Sequence, residues 1–205
     1  MSAASSHTDR GHRDLNKNGR LDPYEDPSRP IEERVDDLLG QMTIAEKAGM
    51  MFHQMVMMDV GNMAFPGMLT VQQHIDDRAM NNFNILGSAT AREMADWTNR
   101  MQAAAEQTRL GIPITFSTDP RHAFSDNLAA ALSTPAFSQW PESLGLAATR
   151  DQAVVEQFGD VARQEYRSVG LHLAHQLFLF LPSMNRRGDL QGADECSKAI
   201  SNSLE

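Results

Sequence analysis

Two short stretches carry residue types that could do chemistry, and each suggests a different kind. The first runs from Asp14 to Glu25 (DLNKNGRLDPYE). Asp14, Asn16 and Asn18 stand at alternate positions, Gly19 follows, Arg20 offers a carbonyl, Asp22 comes two further on and Glu25 closes the dozen. Calcium takes 6–8 hard oxygens, and this is the 1-3-5-7-9-12 pattern of an EF-hand-like loop with its turn glycine at position six. Asp14, Asn16, Asn18, Arg20, Asp22 and Glu25 are therefore the candidate ligands of a structural Ca2+. The same composition also suits a polar Asn/Asp/Gly turn that holds no ion. No convincing helix leads into the stretch, Pro23 is unusual within it, and no second loop pairs with it.

The second stretch is Ser117-Thr-Asp-Pro-Arg-His122, which puts a carboxylate, a guanidinium and an imidazole within four residues. It follows Ile112-Pro-Ile-Thr-Phe116, which reads as a strand. In parallel α/β sheets, ligands bind at the carboxyl ends of the strands. A carboxylate there can accept two hydrogen bonds from vicinal hydroxyls, which suits a sugar. Asp119, Arg121 and His122 are the candidate substrate-binding residues. The alternative is that Asp119 caps a turn at Pro120 while Arg121 neutralises it.

The elements that must position these groups alternate. Ile31, Val35, Leu38 and Leu39 recur at helical spacing behind Pro30, with Gly40 as a stop. Thr43-Ile-Ala-Glu46 reads as a capping box opening a short helix that ends near Gly49. Met50–Met58 and Asn84–Leu86 suggest strands. Residues 91–109 lack Gly and Pro and predict a long helix, ended by Gly111. Thr149-Arg-Asp151 starts another helix, with Val154, Val155, Phe158 and Val161 inward and Gly170 as its stop. Leu171–Ala174 begins one more strand. Strands alternating with helices imply βαβ units on a parallel sheet. The ~175 residues after position 30 suit four or five units, against ~250 for a closed (β/α)8 barrel.

Composition narrows the classes. Lys and Arg number 18 against 27 Asp and Glu, a net charge of −9 that argues against a phosphate-binding face. A single cysteine, Cys196, excludes an internal disulfide framework. No apolar run exceeds five residues, far short of the ~20 that cross a bilayer. The opening MSAASSHTDRGHRD has no apolar segment behind a basic end and does not read as a secretory signal. Nucleic acid, membrane and disulfide scaffold are thus the unfavoured readings, and localisation stays open. His172 and His175 fall on opposite faces of a strand, against a metal site. The methionines between Met50 and Met68 read as packing residues.

Four motifs in order resemble one family. Asp22-Pro-Tyr-Glu-Asp-Pro27, Ile31-Glu-Glu-Arg-Val-Asp-Asp-Leu-Leu39 and Met42-Thr-Ile-Ala-Glu-Lys-Ala-Gly49 look like the opening of glycoside hydrolase family 3. Gly111-Ile-Pro-Ile-Thr-Phe-Ser-Thr-Asp-Pro-Arg-His122 is similar to that family's strand and substrate loop. Trp140–Thr149 and Val161–Gly170 follow in the family's order. The resemblance implies retaining hydrolysis of terminal β-glucosides or β-xylosides, by a nucleophile and an acid/base carboxylate. It aligns Asp119 with the Asp that holds sugar hydroxyls, and it places Arg121 and His122 in the same loop.

The expected organisation is a disordered tail over 1–13, a calcium-loop-like arm over 14–30, a partial TIM-type barrel of amino-terminal βα units over 31–174, and a divergent tail over 175–205. After Ala174 the family's substrate arginine, Lys-His pair and nucleophile have no counterpart, so the resemblance implies no catalytic residue in this chain. An incomplete barrel exposes sheet edges and an apolar face, which predicts self-association. The competing reading is a non-catalytic sugar- or calcium-binding protein.

Overall fold

The computed structural model describes residues 13–58, 69–119, 122, 132–133 and 137–174. Its helices are α1 (Ile31–Gln41), α2 (Ile44–Met50), α3 (Val71–Arg78), α4 (Ala91–Glu106), α5 (Ser143–Thr149) and α6 (Gln152–Ser168). Its strands are β1 (Gln54–Met57), β2 (Asn82–Ser88), β3 (Thr115–Thr118), β4 (Leu132–Ser133) and β5 (Leu173–Ala174). They group into two units, and α4 contributes its first turns to one and its last to the other.

One unit holds α1, α2, α3, the end of α4 and the stretch 13–30. A 3-10 turn at Pro23–Glu25 buries Tyr24, whose hydroxyl donates to Leu110 O at 3.1 Å. Lys17 Nζ donates to Glu106 O (2.7 Å) and Thr108 O (2.6 Å), satisfying carbonyls that the end of α4 leaves over. Thr43 and Glu46 close the capping box expected for α2. Glu46 is also gripped by Arg109, whose Nε and Nη2 lie 3.0 and 2.5 Å from its carboxylate. That guanidinium holds the Glu46 carboxyl down at about 2.

Gly49 lets α2 touch the chain leaving α3: a Cβ there would lie 2.5 Å from Arg78 O and closer still to Ala79 O. Among the described residues the apolar stripe of α1 is only partly covered, Leu38 being half-buried. Ile31 is 71% exposed, Val35 and Leu39 nearly half, and the helix buries no residue. Gly40 does not stop α1, which ends instead where Met42 turns extended into the cap of α2.

The other unit is a parallel sheet in the order β1-β2-β3-β5, with β4 pairing the end of β2. The registers Met55↔Asn84, Asn84↔Ser117 and Ser117↔Leu173 put those four residues on one level. Alternation then divides the sheet into two faces. One face carries Val56, Met58, Phe83, Ile85, Phe116 and Thr118, all buried. Trp97 of α4 lies on Phe116 with ring centroids 5.2 Å apart. The opposite face carries Asn82, Asn84, Leu86, Thr115 and Ser117, flanked by the more open Met55 (48% exposed) and Leu173 (41%). A second apolar cluster joins Leu146, Phe158 and Ala162, with Trp140 and Val154 packed on it.

Several boundaries differ from the sequence reading for local reasons. The third strand starts at Thr115, not Ile112, because Gln102 captures both backbone groups of Ile114. Its Oε1 accepts from Ile114 N at 3.0 Å and its Nε2 donates to Ile114 O at 2.7 Å, removing that residue from the ladder. The long helix begins at Ala91 behind an unforeseen capping box, Thr90 with Glu93, and ends at Glu106. Helices α3 and α5 were not foreseen. The expected tails at 1–13 and 175–205 fall, but for Arg13, outside the described residues, as do His175 and Cys196.

Candidate functional site

Asp119 follows the last residue of β3 and continues its alternation, so it falls on the face of Asn84 and Ser117. Asn84, buried in β2, donates from Nδ2 to Asp119 Oδ2 at 3.3 Å. Ser117 Oγ lies 3.4 Å from Asn84 Oδ1 and 3.3 Å from Phe83 O, both acceptors for its proton. A donor on the Oδ1 side orients the amide so that its NH2 turns to the carboxylate. Asp119 itself is only part-buried. The result is a carboxylate held at the carboxyl end of a parallel sheet, on the polar face and open to a ligand.

His122 lies deeper. Its side chain is fully buried, and its ring stacks on Phe137 (centroids 5.0 Å apart, planes 6° apart) with Tyr166 edge-on at 4.6 Å. Nε2 is 2.8 Å from Glu165 Oε2. Burial pushes the imidazole below its ordinary pKa, outweighing the upward pull of that carboxylate, so the ring is neutral at pH 7. The structure thus separates two residues that the sequence put together: Asp119 at the open end of β3, His122 under the aromatics against α6. Arg121 lies outside the described residues. His53 and His172 are exposed.

Sequence reasoning missed Asn84 and Glu165. Asn84 appeared only as the start of a strand, and Glu165 only as an acid in a helical motif. A polar side chain at an inward position of a buried strand was the available signal for Asn84.

In the loop from Asp14 to Glu25 the acidic groups close the chain on itself. Asp14 accepts from Asn18 N (3.0 Å) and Gly19 N (2.8 Å). Glu25 accepts from Leu15 N (2.6 Å), Asn16 N (3.2 Å) and Asp22 N (3.0 Å). Asp22 Oδ2 receives Asn16 Nδ2 (2.5 Å) and Asn18 Nδ2 (2.7 Å). Lys17 and Gly19 take positive φ, 61° and 81°, which coils the loop. Burial raises the Tyr24 phenol, and the carboxylates of Glu25, Asp22 and Asp14 raise it further. No group of three or more His, Cys, Asp or Glu among the described residues is gathered as a metal cluster. The donor set is nonetheless all hard oxygen, as calcium requires. Turning the two Asn amides end for end would aim Oδ1 instead of Nδ2 at the centre, at the cost of the bonds their Oδ1 atoms now take from Asn18 N and Arg20 N.

A parallel βα sheet with a carboxylate just past its third strand is the arrangement in which α/β enzymes place ligand-binding groups, and it does not by itself name the ligand. A probable β-glucosidase C of Aspergillus flavus is 45% identical over 169 residues, which are 80% of this chain and 27% of that protein. A periplasmic β-glucosidase/β-xylosidase of Dickeya chrysanthemi is 44% identical over 170 residues, 78% and 25%. Among solved structures, a β-glucoside phosphorylase, BglX, bound to 2FGlc superposes with a TM-score of 0.56 at 18% identity, covering 76% of this chain and 25% of that one. No family model matches the chain. The chain matches the amino-terminal part of the barrel domain of β-glucosidases of the glycoside hydrolase family 3 type. It spans about a quarter of the length of the curated relatives it matches.

Proposed function

We propose that this chain supplies the glycone-binding part of a retaining hydrolase of terminal β-glucosides or β-xylosides. The observation that carries the reading is Asp119, held by Asn84 at the open carboxyl end of β3. Its carboxylate accepts hydrogen bonds from neighbouring sugar hydroxyls, and Asn84 keeps it aimed while the sugar exchanges. The family resemblance supplies no nucleophile or acid/base residue within 14–174, so bond cleavage needs two carboxylates from elsewhere in a complete barrel. The purified chain is expected to bind glucose, followed by calorimetry, and to release no aglycone from an aryl β-glucoside. Asp119→Ala removes charge-assisted hydrogen bonds worth about 1.5–3 kcal/mol each, so affinity should fall at least about tenfold. Inhibitor-sensitive turnover by the chain, or unchanged binding by the variant, would sink the proposal.

The loop from Asp14 to Glu25 supports a structural Ca2+ held by Asp14, Asn16, Asn18, the Arg20 carbonyl, Asp22 and Glu25. Bound there, the ion would supply charge neutralisation and rigidity, not chemistry. With an affinity typical of extracellular modules, 10 mM calcium stabilises by roughly 1.4–2.7 kcal/mol, or about 3–11 °C in Tm. Glu25→Gln should abolish the rise. Equal shifts with magnesium, or in the variant, would count against calcium. Among the described residues β1 and β5 end the sheet and Ile31, Val35 and Leu39 of α1 are exposed, which supports self-association, the other partner reading.

A further inference from the structure

We propose that Glu165 is a positioning residue for the sugar-binding loop, clasping His122 and Ser138 from α6 and thereby fixing the chain that follows Asp119. The inference rests on the reading of Asp119 as a sugar ligand. Glu165 uses both carboxylate oxygens. Oε1 accepts from Ser138 N at 2.8 Å, while Oε2 accepts from Ser138 Oγ at 2.9 Å and faces His122 Nε2. Ser138 Oγ in turn accepts Trp140 Nε1–H at 2.8 Å, and Trp140 N donates to His122 O at 2.5 Å. His122 O thus accepts from Trp140, His122 Nε2 lies against Glu165, and the same Glu165 carboxylate holds Ser138 to α6.

Packing alone does not call for this arrangement. A phenylalanine would fill the slot between Phe137, Phe158 and Tyr166 without the cost of desolvating an imidazole and a carboxylate. What the polar pair adds is a fixed orientation. Three residue steps, at most ~11 Å of chain, separate His122 from Asp119. Asp119 is held by Asn84 on its upstream side. Asp119 and His122 are then each held, one by Asn84 and the other by Glu165, and the carboxylate keeps its aim on the polar face of the sheet.

The test compares Glu165→Ala and Glu165→Gln in the full chain, with glucose as the probe. Glutamine keeps an acceptor for Ser138 N and a donor that reaches Ser138 Oγ or the unprotonated Nε2 of a retautomerised His122. Two readouts are followed at a temperature where circular dichroism shows each variant folded: glucose affinity, and the side-chain NH2 resonances of Asn84, which report its bond to Asp119. Glu165→Ala should weaken glucose at least about tenfold and broaden or shift the Asn84 resonances, while Glu165→Gln should return both to within about threefold and to wild-type positions. A folded Glu165→Ala with wild-type Asn84 resonances overturns the proposal, whatever its Tm. If the wild type does not bind glucose, the sugar reading fails on its own, and the Asn84 resonances still decide the positioning role. Should Glu165→Ala not fold, Ser138→Ala, which removes the Oγ bonds to Glu165 and from Trp140 but keeps Ser138 N on Glu165, is expected to give the same changes at about threefold; its having no effect would overturn the proposal.

Discussion

Gly49→Ala should lower the melting temperature by about 5–12 °C. A Cβ at this position points at the backbone carbonyls of Arg78 and Ala79. Carbonyls at the end of a helix cannot rotate away as a flexible side chain can, so either α2 or the turn after α3 must shift. Overpacking of this kind costs about 1–3 kcal/mol, and more when backbone is the obstacle. Against it stands the gain of ~1 kcal/mol in helix propensity for alanine over glycine. Because the clash is with main chain, we expect a net loss of about 2–3 kcal/mol, converted at roughly 2–4 °C per kcal/mol for a chain of this size. A scanning-calorimetry trace in which the variant melts with or above the wild type would show that the two segments separate freely.

Trp97→Ala should be more damaging. The indole is fully buried and lies on Phe116, which in turn meets Phe83 at 6.3 Å. Truncating a buried Trp costs about 3–5 kcal/mol in lost transfer energy and residual cavity. Natural domains hold only about 5–15 kcal/mol in total. The variant should therefore sit close to unfolding at 37 °C, whereas Trp97→Phe retains most of the ring contact and should lose roughly half as much. Urea titration checks this directly. The chain has two tryptophans, so in the variant Trp140 alone reports the transition. An unchanged midpoint would mean that the sheet does not depend on α4 for its cover.

The candidate loop stood out in the sequence because it combined two signals, an apolar strand and a carboxylate just beyond it, and the structure places that carboxylate at the end of β3. The fold class was legible because β-type and helical periodicities alternate. What failed were features set by side chains distant in sequence. The start of β3 is decided by Gln102, twelve residues earlier, and no local propensity at Ile112 announces that. The partner of Asp119 is a neutral amide on another strand, and the partner of His122 is an acid on α6 that looks like any surface glutamate in a helical pattern. Helix α3 went unread because its composition (VQQHIDDR) is mostly polar and its buried residues are only Val71, His74 and Ile75. Helix α5 is short and carries a glycine in its interior, both of which weaken a periodic signal. The arm from Asp14 to Glu25 shows the opposite case. Its spacing is plain in the sequence, and the structure shows the same side chains bonded to the loop's own backbone.

The order β1-β2-β3-β5 follows the order of synthesis. Each strand after the first is laid beside one already translated, and each crossover is completed before the next edge is needed. A chain emerging from the ribosome at roughly 5–20 residues per second can therefore extend the sheet one strand at a time. No early segment has to wait unpaired for a distant one, except at the first edge, β1. Among the described strands β1 keeps its outer edge while the sheet grows on the other side, and it carries the open Met55.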